Sequence, residues 1–340
     1  MRVDEFDYDL PERLIAQKPV ENRDESRLML LNKNTGDIED KNFKEIVNLL
    51  EENDILILND SKVIPARLYG EKIPTGTEIE ILLLNRLNEN KWEVLVRPGK
   101  RVKKGVKVEF GDGELIGKAI EYTDFGGRII EFSYEGNFDK ILDKLGEMPL
   151  PPYIKEDLDQ PERYQTVYAK KRGSVAAPTA GLHFTPELME RIKDKGVQIK
   201  YITLHVGLGT FRPVNTDKVE EHDMHAEYIE VDNEVVEKIK KTKKSEGRVI
   251  AVGTTVTRAL ETAAQSGELR EFKGWTDIFI YPGYDFKATD ALITNFHLPK
   301  STLLMMISAL ADKEKIFNAY HKAIEKEYRF YSLGDAMFIY

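Results

Sequence analysis

Cysteine is absent from this 340-residue chain. Its absence excludes disulfides, thiolate nucleophiles and cysteine-based zinc or iron–sulfur centres, and fits a reducing intracellular compartment. Long hydrophobic runs are missing as well, since Ile55–Leu58 and Leu303–Ala311 fall far short of a membrane span. The first residues, M-R-V-D-E-F-D-Y-D-L-P, are acidic and broken by Pro11, so they read as neither a signal nor a transit peptide. A soluble, cytoplasmic protein is expected. There is no G-x-S-x-G nucleophile elbow, and Gly207-x-Gly209 lacks the third glycine of the dinucleotide fingerprint. Gly253-Thr254-Thr255 matches no phosphate loop, so serine-triad hydrolysis and conventional NAD or ATP binding are disfavoured. A net charge of −9 argues against indiscriminate nucleic-acid binding and leaves that role to local basic stripes.

What is present predicts an α/β fold. Leu28–Asn32 and Asp54–Leu58 read as strands around an amphipathic segment, Phe43–Glu51. After the connection Met148–Tyr153 the pattern resumes. Strands are predicted at Val197–His205, Tyr228–Val231, Arg248–Gly253, Asp277–Tyr281 and Ala291–Thr294, and helices at Pro186–Lys195, Asn233–Lys244, Val256–Ala264 and Ser301–Ala311. Strand, polar tip and helix in repeated order imply a mainly parallel sheet flanked by helices. Between these halves the texture alternates with period two, in Glu78–Asn85, Lys91–Val96, Val106–Phe110, Leu115–Tyr122 and Arg128–Tyr134, before a short helix at Phe138–Leu145. Short strands separated by turns predict an inserted small antiparallel barrel or sandwich over 65–148, with 1–64 and 149–340 forming one discontinuous α/β domain.

The segment Gly173–Phe184 carries no charge and many small residues, which suits a shaped loop that brings its backbone close to another surface. It delivers His183 to a helix start, with Thr185 as cap and Pro186 in the first turn. His183, His205, His222, His225 and His297 all fall at strand ends or polar tips. H-D-M-H-A-E (222–227) offers metal-type side chains, but histidines three apart entering a strand share no face and H-E-x-x-H is missing, so no metal is expected. Acid–base work or hydrogen bonding to substrate suits neutral imidazoles better. Asn59, Asp60, Ser61 and Arg67 lie around a strand tip, where open α/β sheets bind ligands, although a solvated turn is the simpler reading. Arg212 and Arg258 are candidates for a substrate carboxylate, against ordinary ion pairing. Lys100, Arg101, Lys103 and Lys104, with the separate run Lys170, Lys171 and Arg172, are candidates for a phosphate backbone, against a solvated charged face.

Eight stretches together closely resemble one family, the S-adenosylmethionine:tRNA ribosyltransferase-isomerases of queuosine biosynthesis. They include F-D-Y-D-L-P-E-R-L-I-A-Q-K-P (6–19), L-N-D-S-K-V-I-P-A-R-L (58–68), G-S-V-A-A-P-T-A-G-L-H-F-T (173–185) and T-L-H-V-G-L-G-T-F-R-P-V (203–214). The others are H-D-M-H-A-E (222–227), A-V-G-T-T-V-T-R-A-L-E (251–261), I-T-N-F-H-L-P-K-S-T-L-L-M (293–305) and Y-R-F-Y-S-L-G-D-A-M (328–337). Ser61 stands where many relatives have Thr; either supplies a hydroxyl. The resemblance implies an α/β domain interrupted by a β-barrel. It implies transfer and isomerisation of the ribosyl group of S-adenosylmethionine onto 7-aminomethyl-7-deazaguanine at the tRNA wobble position, giving epoxyqueuosine with release of adenine and methionine. S-adenosylmethionine is then a consumed substrate, no cofactor is called for, and the enzyme is expected to act as a monomer away from membranes.

On that reading the proton acceptor is sought among His183, His205, His222 and His225. Substrate contacts are expected from Asn59, Asp60, Ser61, Arg67, Thr179, Gly207, Thr210, Arg212, Glu227, Thr254, Thr255, Arg258, Asn295 and His297. The alternatives are a non-catalytic tRNA-binding module, favoured by the barrel and basic clusters, and an S-adenosylmethionine-dependent methyltransferase. The latter calls for a glycine-rich loop after the first strand, which the sequence lacks.

Overall fold

A computed structural model describes residues 1–156, 160–207 and 214–340. The chain divides into two compact units, one of Met1–Ser61, Pro152–Lys171 and Ala177–Tyr340, the other of Lys62–Pro151 and Arg172–Ala176.

The first unit is built on a nine-stranded mixed sheet. Its order is Phe272–Thr276, Glu227–Val231, Gln198–Leu204, Ile55–Asn59, Val249–Val252, Ala291–Asn295, Ala336–Ile339, Arg27–Leu31 and Ile38–Asn42. Parallel pairing runs through the middle, from Gln198–Leu204 across Ile55–Asn59 and Val249–Val252 to Ala291–Asn295, and recurs between Arg27–Leu31 and Ala336–Ile339. The remaining neighbours are antiparallel, which makes the sheet mixed. Ile55–Asn59 and Val249–Val252 are buried along their whole length, as expected of strands covered on both faces. Their core joins Leu56, Leu58, Ile250, Val252, Ile293 and Phe338 to Phe184, Leu188 and Ile192 of the 180–192 region.

Local chemistry accounts for the helix starts. The Thr185 hydroxyl accepts the Leu188 amide at 3.1 Å, with Pro186 opening the helix Pro186–Asp194. Ser301 caps Thr302–Ala311 in the same way through the Leu304 amide, at 3.2 Å. The helix Thr254–Ala263 is buried at all ten positions, an apolar and threonine-rich rod inside the unit. One predicted strand falls elsewhere: the ladder is formed by Phe272–Thr276, whereas 277–281 runs outside it. Ile278 and Ile280 pack with Met306, so an alternating pattern arises there from burial against a helix without strand pairing.

The second unit is a closed antiparallel barrel of six strands: Arg67–Ile73, Thr77–Arg86, Lys91–Arg97, Arg128–Tyr134, Leu115–Tyr122 and Lys107–Phe110 in spatial order. Pairing of the last with the first closes it. Closure removes the exposed edges that an open sheet of this size would present. Its interior holds Ile79, Ile81, Leu83, Val94, Val108, Ile130 and Phe132, the inward positions of the period-two pattern.

Candidate active site

The parallel strands of the first unit end together, and a cavity of ≈ 640 Å³, its solvent-filled mouth included, opens at their carboxyl tips. Val206 follows one strand, Gly253, Thr254 and Thr255 follow the next, and Thr294–Leu298 follow a third. Tips of this kind are where open α/β sheets bind ligands. Ala177–Ala180 form another wall, with Tyr153, Tyr331 and Ser332 beside them.

Gly253 has φ +95°, a conformation that L side chains rarely adopt, and it turns the chain directly from strand into helix. The first-turn amides of Thr254 and Thr255 have no acceptor inside the helix, and both residues line the cavity. Gly181 serves close approach: a Cβ there would lie 2.0 Å from the Tyr168 hydroxyl. This is the backbone contact that the small residues of Gly173–Phe184 were expected to permit.

Asn295 anchors the polar wall. The Thr179 hydroxyl donates to its Oδ1 at 2.9 Å, and its amide nitrogen lies 3.2 Å from His183 Nε2. With Nε2 accepting, Nδ1 carries the proton and donates to Ser26 Oγ at 2.7 Å, and the Ser26 hydroxyl donates to the Arg23 carbonyl. His183 is thus buried behind Asn295, stacked on Phe43 with ring centroids 4.9 Å apart. Burial lowers its pKa to about 3, so the ring is neutral at pH 7.

His297 lines the cavity itself, with Nε2 2.9 Å from Thr294 Oγ1, and burial lowers its pKa to about 3 as well. Its peptide group is held from both sides: the Tyr8 hydroxyl donates to its carbonyl, and its N–H donates to the Tyr320 hydroxyl at 2.8 Å. Tyr331 occupies the left-handed region at φ +71°, at a cost of about 1–3 kcal/mol, and its N–H donates to the Phe296 carbonyl at 3.1 Å. The Tyr153 hydroxyl bonds Ser332 Oγ. Burial pushes the Tyr153 phenol up to about 12, so it stays protonated at neutral pH.

The cavity therefore gathers Thr179, Thr254, Thr255, Asn295 and His297 from the sequence-derived set. Others serve the framework around it. Asn59 bonds both the N–H and the carbonyl of Leu204, at 3.0 and 2.9 Å, and accepts the Ser61 amide, joining two strand tips. Asp60 accepts the Thr203 hydroxyl at 2.7 Å, and Ser61 is buried. Arg67 pairs with Glu80 on the barrel at 3.0 Å. Arg258 and Glu227 form a buried ion pair, and Glu227 also accepts the Gly207 amide at 2.9 Å, so the Arg258 guanidinium already has a carboxylate. Thr210 and Arg212 lie outside the described residues.

His205 precedes Val206 of the cavity wall; its Nδ1 is buried without a hydrogen-bond partner among the described residues. Burial lowers its pKa, with Glu230 and Asp60 opposing. His222 packs edge-on against Phe279, and His225 is exposed. Among the described residues, no three His, Asp or Glu side chains converge as a metal-binding set, and no helix is long and apolar enough to cross a membrane.

Lys100, Arg101, Lys103 and Lys104 are exposed on the barrel and make no ion pair among the described residues. Lys170 is exposed, Lys171 pairs with Glu230 at 2.6 Å, and Arg172 pairs with Asp143 at 2.6 Å. Sequence reasoning missed the roles of Tyr8, Tyr153, Tyr320, Tyr331 and Ser332. Except for Tyr153 and Tyr320, these lie in stretches that carry the family resemblance, F-D-Y-D-L-P and Y-R-F-Y-S-L-G-D, which was the available signal.

Fold and cavity define an α/β protein with a cavity at its strand tips and a six-stranded antiparallel barrel as a second unit. The family described as queuosine biosynthesis protein matches residues 3–339, and the chain belongs to that family. It is 63% identical to a protein of Halothermothrix orenii and 57% identical to one of Staphylococcus haemolyticus, each over 100% of both chains. Both are named S-adenosylmethionine:tRNA ribosyltransferase-isomerase. A crystal structure of S-adenosylmethionine tRNA ribosyltransferase from Thermotoga maritima is 43% identical, with a TM-score of 0.58, covering 99% of this chain and 100% of that one.

Proposed function

We propose that this protein is a transferase that moves the ribosyl group of S-adenosylmethionine onto 7-aminomethyl-7-deazaguanine at the tRNA wobble position. It isomerises that group to the epoxycyclopentane of epoxyqueuosine and releases adenine and methionine. The observation that carries this reading is end-to-end relatedness to enzymes named for the reaction, at 63% identity, in a chain with a strand-tip cavity. S-adenosylmethionine acts as a substrate. The exposed barrel cations Lys100, Arg101, Lys103 and Lys104 are proposed to follow the tRNA backbone, with Lys170 as a further contact.

The reaction removes a proton from the 5′ carbon beside the sulfonium, expels adenine and guides the exocyclic amine. Neutral imidazoles whose conjugate acids lie near 3 are poor proton acceptors at pH 7. His297 and Asn295 are accordingly proposed to hold substrate by hydrogen bonds, and His183 to fix the Asn295 amide. The proton acceptor is proposed to be His205: it adjoins the cavity wall, its Nδ1 has no partner among the described residues, and Glu230 and Asp60 oppose the effect of burial on its basicity.

The test is mass spectrometry of tRNA and small molecules after incubation with S-adenosylmethionine and tRNA bearing the modified base. Adenine and epoxyqueuosine-tRNA are expected; S-adenosylhomocysteine, or no turnover, refutes the reading. His205→Ala is expected to abolish turnover with substrate binding retained. Turnover at the unaltered rate removes the acceptor role from that residue.

A further inference from the structure

A second cleft, of ≈ 300 Å³, adjoins the main cavity through Ser332, which lines both. The charged side chains on its wall are Arg23 and Arg163, 140 positions apart in sequence and without an Asp or Glu beside them in the lining. Elsewhere in this unit Arg258 meets Glu227 and Arg248 meets Asp54 at 2.6 Å, whereas half-buried Arg27 and Arg329 stand singly and bond the carbonyls of Lys326 and Lys18. Arg23 and Arg163 make no ion pair among the described residues. Arg23 donates to the carbonyls of Leu182 and Glu162, at 3.2 and 3.4 Å, and Arg163 to those of Glu21 and Val20, at 2.9 and 2.6 Å. Arg163 Nε is buried without an acceptor among the described residues.

Carbonyls orient a guanidinium but leave its charge uncompensated. The charge is felt: burial first, and then the neighbouring Arg163, lower the Arg23 pKa. In the barrel Arg128 also bonds only carbonyls, yet it stands alone and lies over the Tyr122 ring, 4.3 Å from the centroid. Two fixed forks side by side in an open cleft are the arrangement that receives an oxyanion through paired N–H donors.

We infer that Arg23 and Arg163 form an oxyanion subsite for substrate, beside the cavity that receives the reacting groups. The anion is either a backbone phosphodiester next to the target nucleotide or the carboxylate of the methionyl part of S-adenosylmethionine; both match the fork geometry. The inference rests on the proposed function for the identity of those two substrates.

Arg23→Gln and Arg163→Gln would be compared with the unaltered protein, measuring equilibrium affinity for tRNA bearing 7-aminomethyl-7-deazaguanine and the KM for S-adenosylmethionine from adenine release. A phosphodiester predicts roughly tenfold weaker tRNA binding, the size of one charge-assisted hydrogen bond, and a shallower salt dependence, with the KM for S-adenosylmethionine unchanged. A carboxylate predicts the reverse. Variants that fold normally and match the unaltered protein in both measurements overturn the subsite. Where glutamine lowers the melting temperature, Arg163→Lys and Arg23→Lys keep the charge and lose the fork, and the same losses are expected in part. If the unaltered protein releases no adenine, the proposed function fails, whereas tRNA affinity still reads out the cleft.

Discussion

The strand-tip network of the α/β unit and the basic turn of the barrel use polar groups in opposite ways. In the α/β unit Thr179, Asn295, His183 and Ser26 form one hydrogen-bonded chain and Glu227 with Arg258 a buried ion pair, all but half-buried Thr179 held away from water. On the barrel Lys100, Arg101, Lys103 and Lys104 stand in solvent without a carboxylate partner among the described residues. The first arrangement fixes geometry, because each lost partner leaves a desolvated group behind. The second leaves its charge available at long range and screened by salt, which suits attraction of a polyanion without a fixed pose.

That contrast breaks most visibly at Glu227. Glu227→Ala strands the buried Arg258 charge and is expected to cost about 3–5 kcal/mol in urea unfolding. A loss under about 1 kcal/mol would mean that the pair behaves like a surface one. Next in size, Asn295→Ala cuts the link between Thr179 and His183 and is expected to lower kcat/KM by about 100-fold in adenine release and to cost about 1–3 kcal/mol in unfolding, because His183 Nε2 loses its partner. Unchanged turnover would make the amide a packing element.

A separate effect, spread over several pH units, is on pH dependence. His183 and His297 have folded-state pKa values of about 3, below the ordinary value of 6.5, so the folded state resists protonation that the unfolded chain accepts. Their neutral forms support stability fully above pH 6.5, and that support is lost as pH falls towards 3, at about 1.4 kcal/mol per pH unit for each ring. Unfolding midpoints measured from pH 7 to pH 4 should fall with this slope, and His183→Asn should make the fall shallower. The smallest effect on stability belongs to the barrel. Replacing Lys100, Arg101, Lys103 and Lys104 together by glutamine should change unfolding by no more than about 0.5 kcal/mol while reducing the salt dependence of tRNA affinity. A large loss of stability there would erase the distinction.

The fold was legible because its signals are local. Period two marks the barrel strands, capping residues mark the helices at Pro186 and Thr302, and unbroken apolar runs mark Ile55–Asn59 and Val249–Val252. Asp277–Tyr281 misled because Ile278 and Ile280 face a helix core with the same alternation. The site was legible in part. The tips that bring Thr254, Asn295 and His297 together follow from strand–helix order. Which histidine is buried and which is exposed depends on distant residues: Phe43 and Ser26 enclose His183, whereas His225 meets solvent. The partner of helical Arg258 likewise lies 31 residues away, on a strand. Arg23 and Arg163 escaped notice where the barrel lysines did not, since convergence in space leaves no cluster in sequence.

The grip of Tyr8 and Tyr320 on the His297 peptide has a consequence for the timing of biosynthesis. The cavity wall draws on a tyrosine near the start of the chain, a second on a late helix, and Tyr331 and Ser332 after that. A nascent chain emerging from the ribosome therefore carries both the early strands and the complete barrel before it owns a finished pocket. Until Tyr331 and Ser332 are in place the cavity lacks one wall, while the barrel lacks none of its six strands.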